Sequence, residues 1–208
     1  MWRHRGVAVR VSPTAVLLLA VFALVAPPVC LAAVLLAAGC HEAGHYMALR
    51  LSGGRLAAVS VSAFGAQMRV RDRYRLSYGR EALCVLAGPL INGTLSWLLS
   101  LAGARREELY IFAGAQLILG VFNLLPLWTL DGGRLLRTLL RMRWGAAGVD
   151  ASQTLGLLFG LGLLAGAVFA ARRWDTGVWP AVTAGALLVR LLRSRYAEKA
   201  VAFPAAEQ

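Results

Sequence analysis

Six apolar stretches run through the sequence, and each approaches the roughly 20 residues that a helix needs to cross the hydrocarbon core of a bilayer. They cover residues 14–26, 29–49, 82–103, 109–130, 153–171 and 177–192. A mean hydropathy of +0.64 and an apolar content of 59% exceed what soluble domains usually carry. The sequence therefore predicts an all-α polytopic membrane protein with about six transmembrane helices, the first of them short.

The formal net charge of +12 would indicate nucleic-acid binding in a soluble protein. In a membrane protein the positions of the basic residues decide what the charge means. With the amino terminus inside and six spans, the outer side receives only Arg105, Arg106, Arg172 and Arg173. The strong positive-inside bias predicts an integral protein of a bacterial cell membrane with its amino and carboxyl termini in the cytoplasm. It also predicts contact with anionic lipid rather than with nucleic acid.

Between the second and third apolar stretches, residues 55–71 alternate small or apolar residues with polar ones on both sides of Phe64-Gly65. Alternation with a period of two is typical of strands, so this segment predicts a small β-hairpin between helices 2 and 3. The opening residues and the first apolar stretch resemble a signal peptide, but no small-residue cleavage site follows them. We interpret that stretch as a retained helix.

The second apolar stretch ends in His41-Glu42-Ala43-Gly44-His45. Residues four apart share one face of a helix, so both imidazoles can bind one metal ion. In such a motif the glutamate is not a ligand; Glu42 takes a proton from the hydrolytic water. Zn²⁺ is favoured because it accepts nitrogen and oxygen ligands and does no redox chemistry. A chance match is the alternative, but ionisable groups inside an apolar helix are costly unless they have a function.

A catalytic zinc needs a third protein ligand, and Asp131 is the acid at a matching depth, where it closes the fourth span. The remaining histidine, His4, lies at the amino terminus. An aspartate before two glycines is also a common turn signature, so a purely structural role stays open. Pro126 interrupts the fourth span, and unwinding there is tolerated where backbone lines a polar cavity.

Two asparagines within the apolar stretches are candidates to hold the substrate carbonyl or the oxyanion. Asn123 lies in the fourth span and Asn92 in the third, where it follows Ala87-Gly88-Pro89. A structural amide explains Asn123 nearly as well. Helix packing explains the segment from Ala87 to Asn92 equally well.

Taken together, the motifs resemble those of the site-2 protease family of intramembrane metalloproteases (peptidase family M50), and within it the stage IV sporulation protein FB type. The resemblance covers about residues 10–195 in the same order. The motifs that carry it are His41 to His45, Phe64-Gly65, Ala87-Gly88-Pro89 and the segment from Asn123 through Pro126 and Trp128 to Asp131-Gly132-Gly133.

The resemblance implies zinc held by His41, His45 and Asp131, with Glu42 as the general base. It also implies cleavage of membrane-associated regulatory proteins, for example a tethered sigma-factor precursor in sporulation, with regulatory membrane proteins as further partners. We expect a single intramembrane metalloprotease domain over residues 1–208, with a catalytic core at about 29–134 and neither a PDZ nor a CBS domain.

The hairpin from Val59 to Val70 suggests how a substrate is presented, since an unwound segment can add to it as a strand. Two rival functions use the same residues. A metal transporter or metal sensor should show polar residues across several spans, whereas the outer halves here are almost wholly apolar. An inactive scaffold would be expected to lack Glu42 or a ligand.

Overall fold

The computed structural model of the chain describes residues 2–4, 7–62, 65–71, 77–103, 106, 108–174 and 177–202. These residues form six helices and four strands. In chain order the elements are β1 (Trp2–His4), β2 (Val7–Val11), α1 (Pro13–Val25), α2 (Pro28–Leu51), β3 (Arg55–Ser62), β4 (Gly65–Arg71), α3 (Tyr78–Gly103), α4 (Glu108–Asn123), α5 (Asp131–Trp174) and α6 (Trp179–Ala202). The chain divides into two compact units, Met1–Asn123 and Leu124–Gln208.

The first unit carries a four-stranded sheet in the order β1-β2-β3-β4. The predicted hairpin is confirmed as β3 and β4, which pair antiparallel with Val59 opposite Met68 and Val61 opposite Ala66. The two amino-terminal strands were not predicted. β2 pairs parallel with β3, and β1 pairs antiparallel with β2. The fold is therefore helical with a small sheet that is wider than the predicted hairpin. Phe64 lies outside the described residues.

Ser12 is the junction between the sheet and the first helix. Its backbone N–H donates to the Val61 carbonyl at 2.8 Å, which continues the pairing of β2 with β3. Its hydroxyl oxygen accepts from the Ala15 N–H at 3.3 Å, and Pro13 occupies the first helical position. Serine at the cap and proline directly after it are preferred at helix starts, so α1 begins where β2 ends.

Helices α2, α3 and α4 of the first unit approach one another through small residues. A side chain at Gly44 would place its Cβ 2.7 Å from the Ala87 carbonyl oxygen, so only glycine allows α2 to lie this close to α3. A Cβ at Gly120 of α4 would lie 3.1 Å from the Cβ of Asn92 on α3. Small residues at helix crossings are the usual means of close packing in membrane proteins.

The boundary between the fourth and fifth helices differs from the prediction of a span over residues 109–130. α4 ends at Asn123, residues 124–130 are not helical, and Asp131 begins α5 instead of closing the fourth helix. Pro126 explains the difference, because proline lacks an N–H and disfavours helical geometry in the residue before it. Two short backbone contacts stabilise the segment, Leu127 N–H to Leu125 carbonyl and Leu130 N–H to Leu127 carbonyl, each 2.7 Å.

The second unit packs around Leu127, Leu130 and Leu191, against which Trp128 and Phe159 lie. α5 covers 44 residues, a length of about 66 Å at 1.5 Å per residue, roughly twice the hydrocarbon thickness. It does not run straight, since Gly145 has φ 59° and ψ −129° and breaks the helix. A positive φ of this kind is accessible to glycine at little cost.

Three helices are long and apolar enough to cross a bilayer: Pro28–Leu51, Tyr78–Gly103 and Asp131–Trp174. Pro13–Val25 and Glu108–Asn123 are shorter apolar helices. Many large apolar side chains are exposed on these helices, which is the arrangement expected when lipid is the solvent. The protein is therefore a membrane protein, and six crossings remain a prediction.

Candidate metal centre

The predicted histidine pair lies on α2, with His41 buried and His45 half-buried. Their spacing of four residues brings the two rings together, edge to face, with centroids 4.6 Å apart and planes at 84°. The two Nε2 atoms are 3.0 Å apart. The helical repeat alone gives this convergence, as the sequence predicted.

The Nδ1 atom of His41 faces the Oδ1 atom of Asn92 at 2.8 Å. The amide nitrogen of Asn92 donates to the Ala37 carbonyl at 3.2 Å and to Oε1 of Gln116 at 2.6 Å. A carbonyl can only accept, so the Ala37 contact fixes which end of the Asn92 amide carries the nitrogen. Asn92 therefore presents an acceptor to His41, and His41 carries its proton on Nδ1.

The ring of His45 is held in the same tautomer by a different group. Its Nδ1 lies 2.7 Å from the backbone carbonyl oxygen of Cys84 on α3. Because that oxygen can only accept, Nδ1 of His45 donates the hydrogen bond. A hydrogen bond of this kind behind a ring leaves the opposite nitrogen as a lone-pair donor.

These two tautomers determine what the pair can bind. A neutral ring with its proton on Nδ1 has none on Nε2, so both Nε2 atoms present lone pairs to each other across 3.0 Å. A cation that accepts both lone pairs removes this repulsion, and imidazole nitrogens are ligands that zinc prefers. The residues present therefore fit a bound zinc ion.

Gly88 of α3 provides the room that the two rings need. A Cβ on Gly88 would lie 2.7 Å from Cε1 of His45 and 2.9 Å from Cε1 of His41, and it would also collide with Nε2 of His45. Real Cβ atoms do not make contacts this short. The Ala87-Gly88-Pro89 motif, which the sequence left open between packing and function, thus shapes the space around the imidazoles.

The other predicted residues take the following places. Glu42 is half-buried on α2 directly after His41. Asn123 is the last residue of α4, and its amide nitrogen donates to the Leu119 carbonyl at 3.0 Å. Both amide hydrogens of Asn92 already have acceptors, in Ala37 and Gln116. An oxyanion role for either asparagine stays a prediction.

Asp131 belongs to the second unit, where it is the first residue of α5 and is 6% exposed. One carboxylate oxygen lies 3.2 Å from a guanidinium nitrogen of Arg134, one helical turn later. Gly132 and Gly133 follow it, and a Cβ on either would collide with the backbone of the segment 124–128. The two glycines therefore let that segment fold tightly against the start of α5.

Sequence reasoning missed Gln116, a buried residue of α4 that is 1% exposed. A glutamine in an apolar helix is a signal that could have identified it, because polar side chains at membrane depth need partners. Its partner lies 24 residues away on α3, and helical periodicity within one segment gives no information about such a pairing.

The profile of Peptidase family M50 matches residues 102–167, which include Asn123 and Asp131 but not the histidines. Rip3 of Mycobacterium tuberculosis (strain H37Rv), whose name describes a zinc metalloprotease, is 35% identical over 158 residues, which are 67% of this chain and 39% of Rip3. Stage IV sporulation protein FB of Bacillus subtilis is 30% identical over 100 residues, 46% of this chain and 35% of that protein. The chain thus spans well under half the length of both relatives.

The solved site-2 protease from Methanocaldococcus jannaschii resembles this chain in fold. The two structures superpose with a TM-score of 0.68 at 19% sequence identity, covering 93% of each chain.

Proposed function

Because this chain belongs to the site-2 protease family, peptidase family M50, we propose that it is an intramembrane zinc metalloendopeptidase that hydrolyses peptide bonds of membrane-associated proteins. One observation carries the proposal. His41 and His45 lie in a membrane helix, both with Nδ1 held by an acceptor, and their Nε2 lone pairs converge. Rings arranged in this way are prepared to bind a metal ion.

Zinc is held by His41, His45 and Asp131 in this proposal. A carboxylate suits the third position, because catalytic zinc sites commonly combine two histidines with one acid. The match of the M50 profile over residues 102–167, which include Asp131, supports the assignment. When bound, zinc supplies Lewis-acid polarisation of a carbonyl and lowers the pKa of water.

Glu42 is the general base. It follows His41 on α2 and therefore points about 100° around the helix from the first ligand, beside the metal rather than onto it. Its carboxylate accepts the proton of the attacking water and then donates it to the leaving amine nitrogen. Asn123 is the remaining amide candidate for steadying the developing oxyanion.

The substrate binds as an added strand at the edge of the sheet. β3 is already paired on both sides, with β2 and with β4, so the Val59 side of the predicted hairpin has no free edge. β4 pairs with β3 alone among the described strands. Peptide bonds in a helix are shielded from attack, so the substrate segment must first unwind. The extended segment then adds to the outer edge of β4.

The substrate class in this proposal is a membrane-tethered regulatory protein, such as a sigma-factor precursor, as the resemblance of the motifs implies. The likeness to stage IV sporulation protein FB supports a role in sporulation and a bacterial cell membrane. The positive-inside bias supports both termini in the cytoplasm, and regulatory membrane proteins are further partners in this proposal. The catalytic core covers about residues 29–134 in this proposal.

Replacement of Glu42 by Gln tests the proposal, because the amide keeps the shape of the side chain and cannot take a proton. We expect cleavage of a co-expressed tethered transcription factor to fall by a factor on the order of 10²–10⁴. Zinc content, measured on the purified chain, should not change, since Glu42 is not a ligand. Unchanged proteolysis by Glu42→Gln would refute the role of Glu42, and a native chain that purifies without zinc would refute the metal site.

A further inference from the structure

Two fully buried amides connect α3 and α4 of the first unit. Asn92 is 0% exposed and Gln116 is 1% exposed, and they are among the four largest fully buried side chains in the described part of the chain. Both lie in apolar helices. Polar groups at membrane depth are costly to bury, and those that are present commonly serve a function.

The hydrogen bonds of these amides form a chain that starts at His41, whose Nδ1 donates to Asn92, and continues from Asn92 to Gln116. Oε1 of Gln116 accepts from the Asn92 nitrogen at 2.6 Å, and the Ala37 carbonyl accepts from the same nitrogen at 3.2 Å. With its nitrogen used twice, Asn92 turns its oxygen to Nδ1 of His41 at 2.8 Å. The two acceptors thus set the orientation of the amide, and the amide sets the tautomer of the ring.

A reversed amide would have the opposite effect on the ring. It would present N–H groups to Nδ1 of His41, and the ring proton would then move to Nε2. A protonated Nε2 has no lone pair for a cation. Gln116 opposes this reversal, because a reversed Asn92 would place its oxygen against Oε1 of Gln116.

We propose that Gln116 is a positioning residue for metal binding, acting through Asn92 on the orientation and tautomer of the His41 ring. The inference rests on the proposed metal site but concerns a residue outside it. Gln116 is not one of the proposed zinc ligands. Together with the Ala37 carbonyl, it keeps the Asn92 amide in the one orientation that leaves Nε2 of His41 able to bind zinc.

The structural alternative is that the amides only hold α3 against α4. A matched control exists for it on the same interface. The Ser96 hydroxyl of α3 donates to the Ala113 carbonyl of α4 at 2.9 Å, and Ser96 is 6% exposed. This hydrogen bond joins the same two helices, and Ser96 lies four residues from Asn92. Neither of its two residues contacts a histidine in the hydrogen bonds described above.

The experiment measures zinc affinity by chelator competition on the purified full chain in detergent. Gln116→Leu keeps the bulk and removes the acceptor, Gln116→Glu keeps an acceptor oxygen, and Ser96→Ala removes the control bond. We expect Gln116→Leu to weaken zinc binding about tenfold, within the range known for groups behind metal ligands. We expect Gln116→Glu and Ser96→Ala to bind zinc within about twofold of the native chain, because the first keeps the acceptor oxygen and the second lies outside the hydrogen bonds that lead to His41.

A double variant shows whether Gln116 acts through Asn92. Asn92→Leu alone should weaken zinc binding by about 10–100-fold. Adding Gln116→Leu to it should cause little further loss, because two changes in one chain of contacts are not additive. Asn92→Asp, which keeps an oxygen for Nδ1 of His41, provides a milder background if Asn92→Leu folds poorly; in it the effect of Gln116→Leu should also shrink.

The outcomes separate this inference from the proposed function. Equal zinc affinities for Gln116→Leu and Ser96→Ala, or additive losses in the double variant, overturn the positioning role and leave the protease intact. A native chain that binds no zinc overturns both. Loss of zinc affinity in Gln116→Leu with native affinity in Gln116→Glu supports the positioning role, since a packing role would not depend on an acceptor oxygen.

Discussion

At the two imidazoles, the groups behind the rings decide what the ring nitrogens can do. His45 is held by a backbone carbonyl, that of Cys84, whereas His41 is held by the side chain of Asn92. A backbone acceptor is present whatever the side chain at that position. Substitutions can therefore change the support of His41 far more easily than that of His45, and sequence variation in α3 and α4 should affect metal binding mainly through His41.

Replacement of Gly88 by Ala tests the space around the rings. The added Cβ would lie within 2.9 Å of both imidazoles, so at least one ring must turn away. Alanine is the better helix former by about 1 kcal/mol, and α3 itself should not be weakened. We expect zinc affinity to fall by about 10–100-fold or more, measured by chelator competition, as when the ligand surroundings of other metal sites are disturbed.

Gly93→Ala is the matched control for this prediction. Gly93 lies five residues later in α3, and a Cβ there would meet nothing within 4 Å. Its zinc affinity should equal that of the native chain. Equal affinities in Gly88→Ala and Gly93→Ala would show that the rings do not occupy the space that the structure gives them.

The ligand pair was predictable from sequence, and its surroundings were not. His41 and His45 are four residues apart, so helical geometry alone places them together. Gln116 and Asn92 are 24 residues apart on different helices. Their contact depends on the crossing of α3 and α4, which the sequence pattern within either helix does not define. For the same reason, the sequence suggested an oxyanion role for Asn92 and not its contact with His41.

Among the elements, two strands of the sheet could be predicted from local sequence pattern, whereas β2 depends on pairing with residues distant in sequence. The alternation in residues 55–71 was sufficient to predict β3 and β4, because a hairpin pairs residues close in sequence. β2 has only five residues, and its parallel partner β3 starts more than 40 positions further along, after two helices. Such pairing leaves no periodic signal near β2, which explains why it was missed.

The pairing of β2 with β3 also fixes the outer edge of β4. The Ser12 N–H donates to the Val61 carbonyl, so the backbone of Val61 faces β2 rather than β4. Backbone orientation alternates along a strand. Ala66 opposite Val61 and Met68 opposite Val59 are therefore non-hydrogen-bonded pairs with β3. Their N–H and C=O groups point away from β3, where a substrate strand would bind.

Replacement of Met68 by Pro tests binding at this edge. Proline removes an outward N–H and is tolerated on edge strands, so pairing of β4 with β3 should survive. Loss of one hydrogen bond to the substrate, about 1 kcal/mol, should raise KM up to roughly tenfold with little change in kcat. Met68→Ala, which keeps the N–H, should cleave like the native chain. If KM rises equally in Met68→Pro and Met68→Ala, the side chain rather than the N–H matters, and the result would argue against strand addition.

For the whole molecule, the distribution of basic residues indicates which side of the membrane the sheet faces. Strands β3 and β4 lie between the carboxyl end of α2 and the amino end of α3, and this part of the chain contains Arg50, Arg55, Arg69 and Arg80. Arg106 lies at the other end of α3, just before α4. The positive-inside rule predicts that the sheet faces the cytoplasm, which would give water and substrate access to Glu42 from that side.

Cysteine labelling in intact cells tests this orientation. Gly79→Cys lies in the first turn of α3, where a side chain meets nothing within 4 Å, and Arg106→Cys lies at an exposed position beyond the end of α3. A membrane-impermeant maleimide should label Arg106→Cys in intact cells and Gly79→Cys only after permeabilisation. The native chain, whose three cysteines are only half-buried, gives the background. Labelling of Gly79→Cys in intact cells would place the sheet outside, and a protease acting on cytoplasmic regulatory segments could not have that orientation.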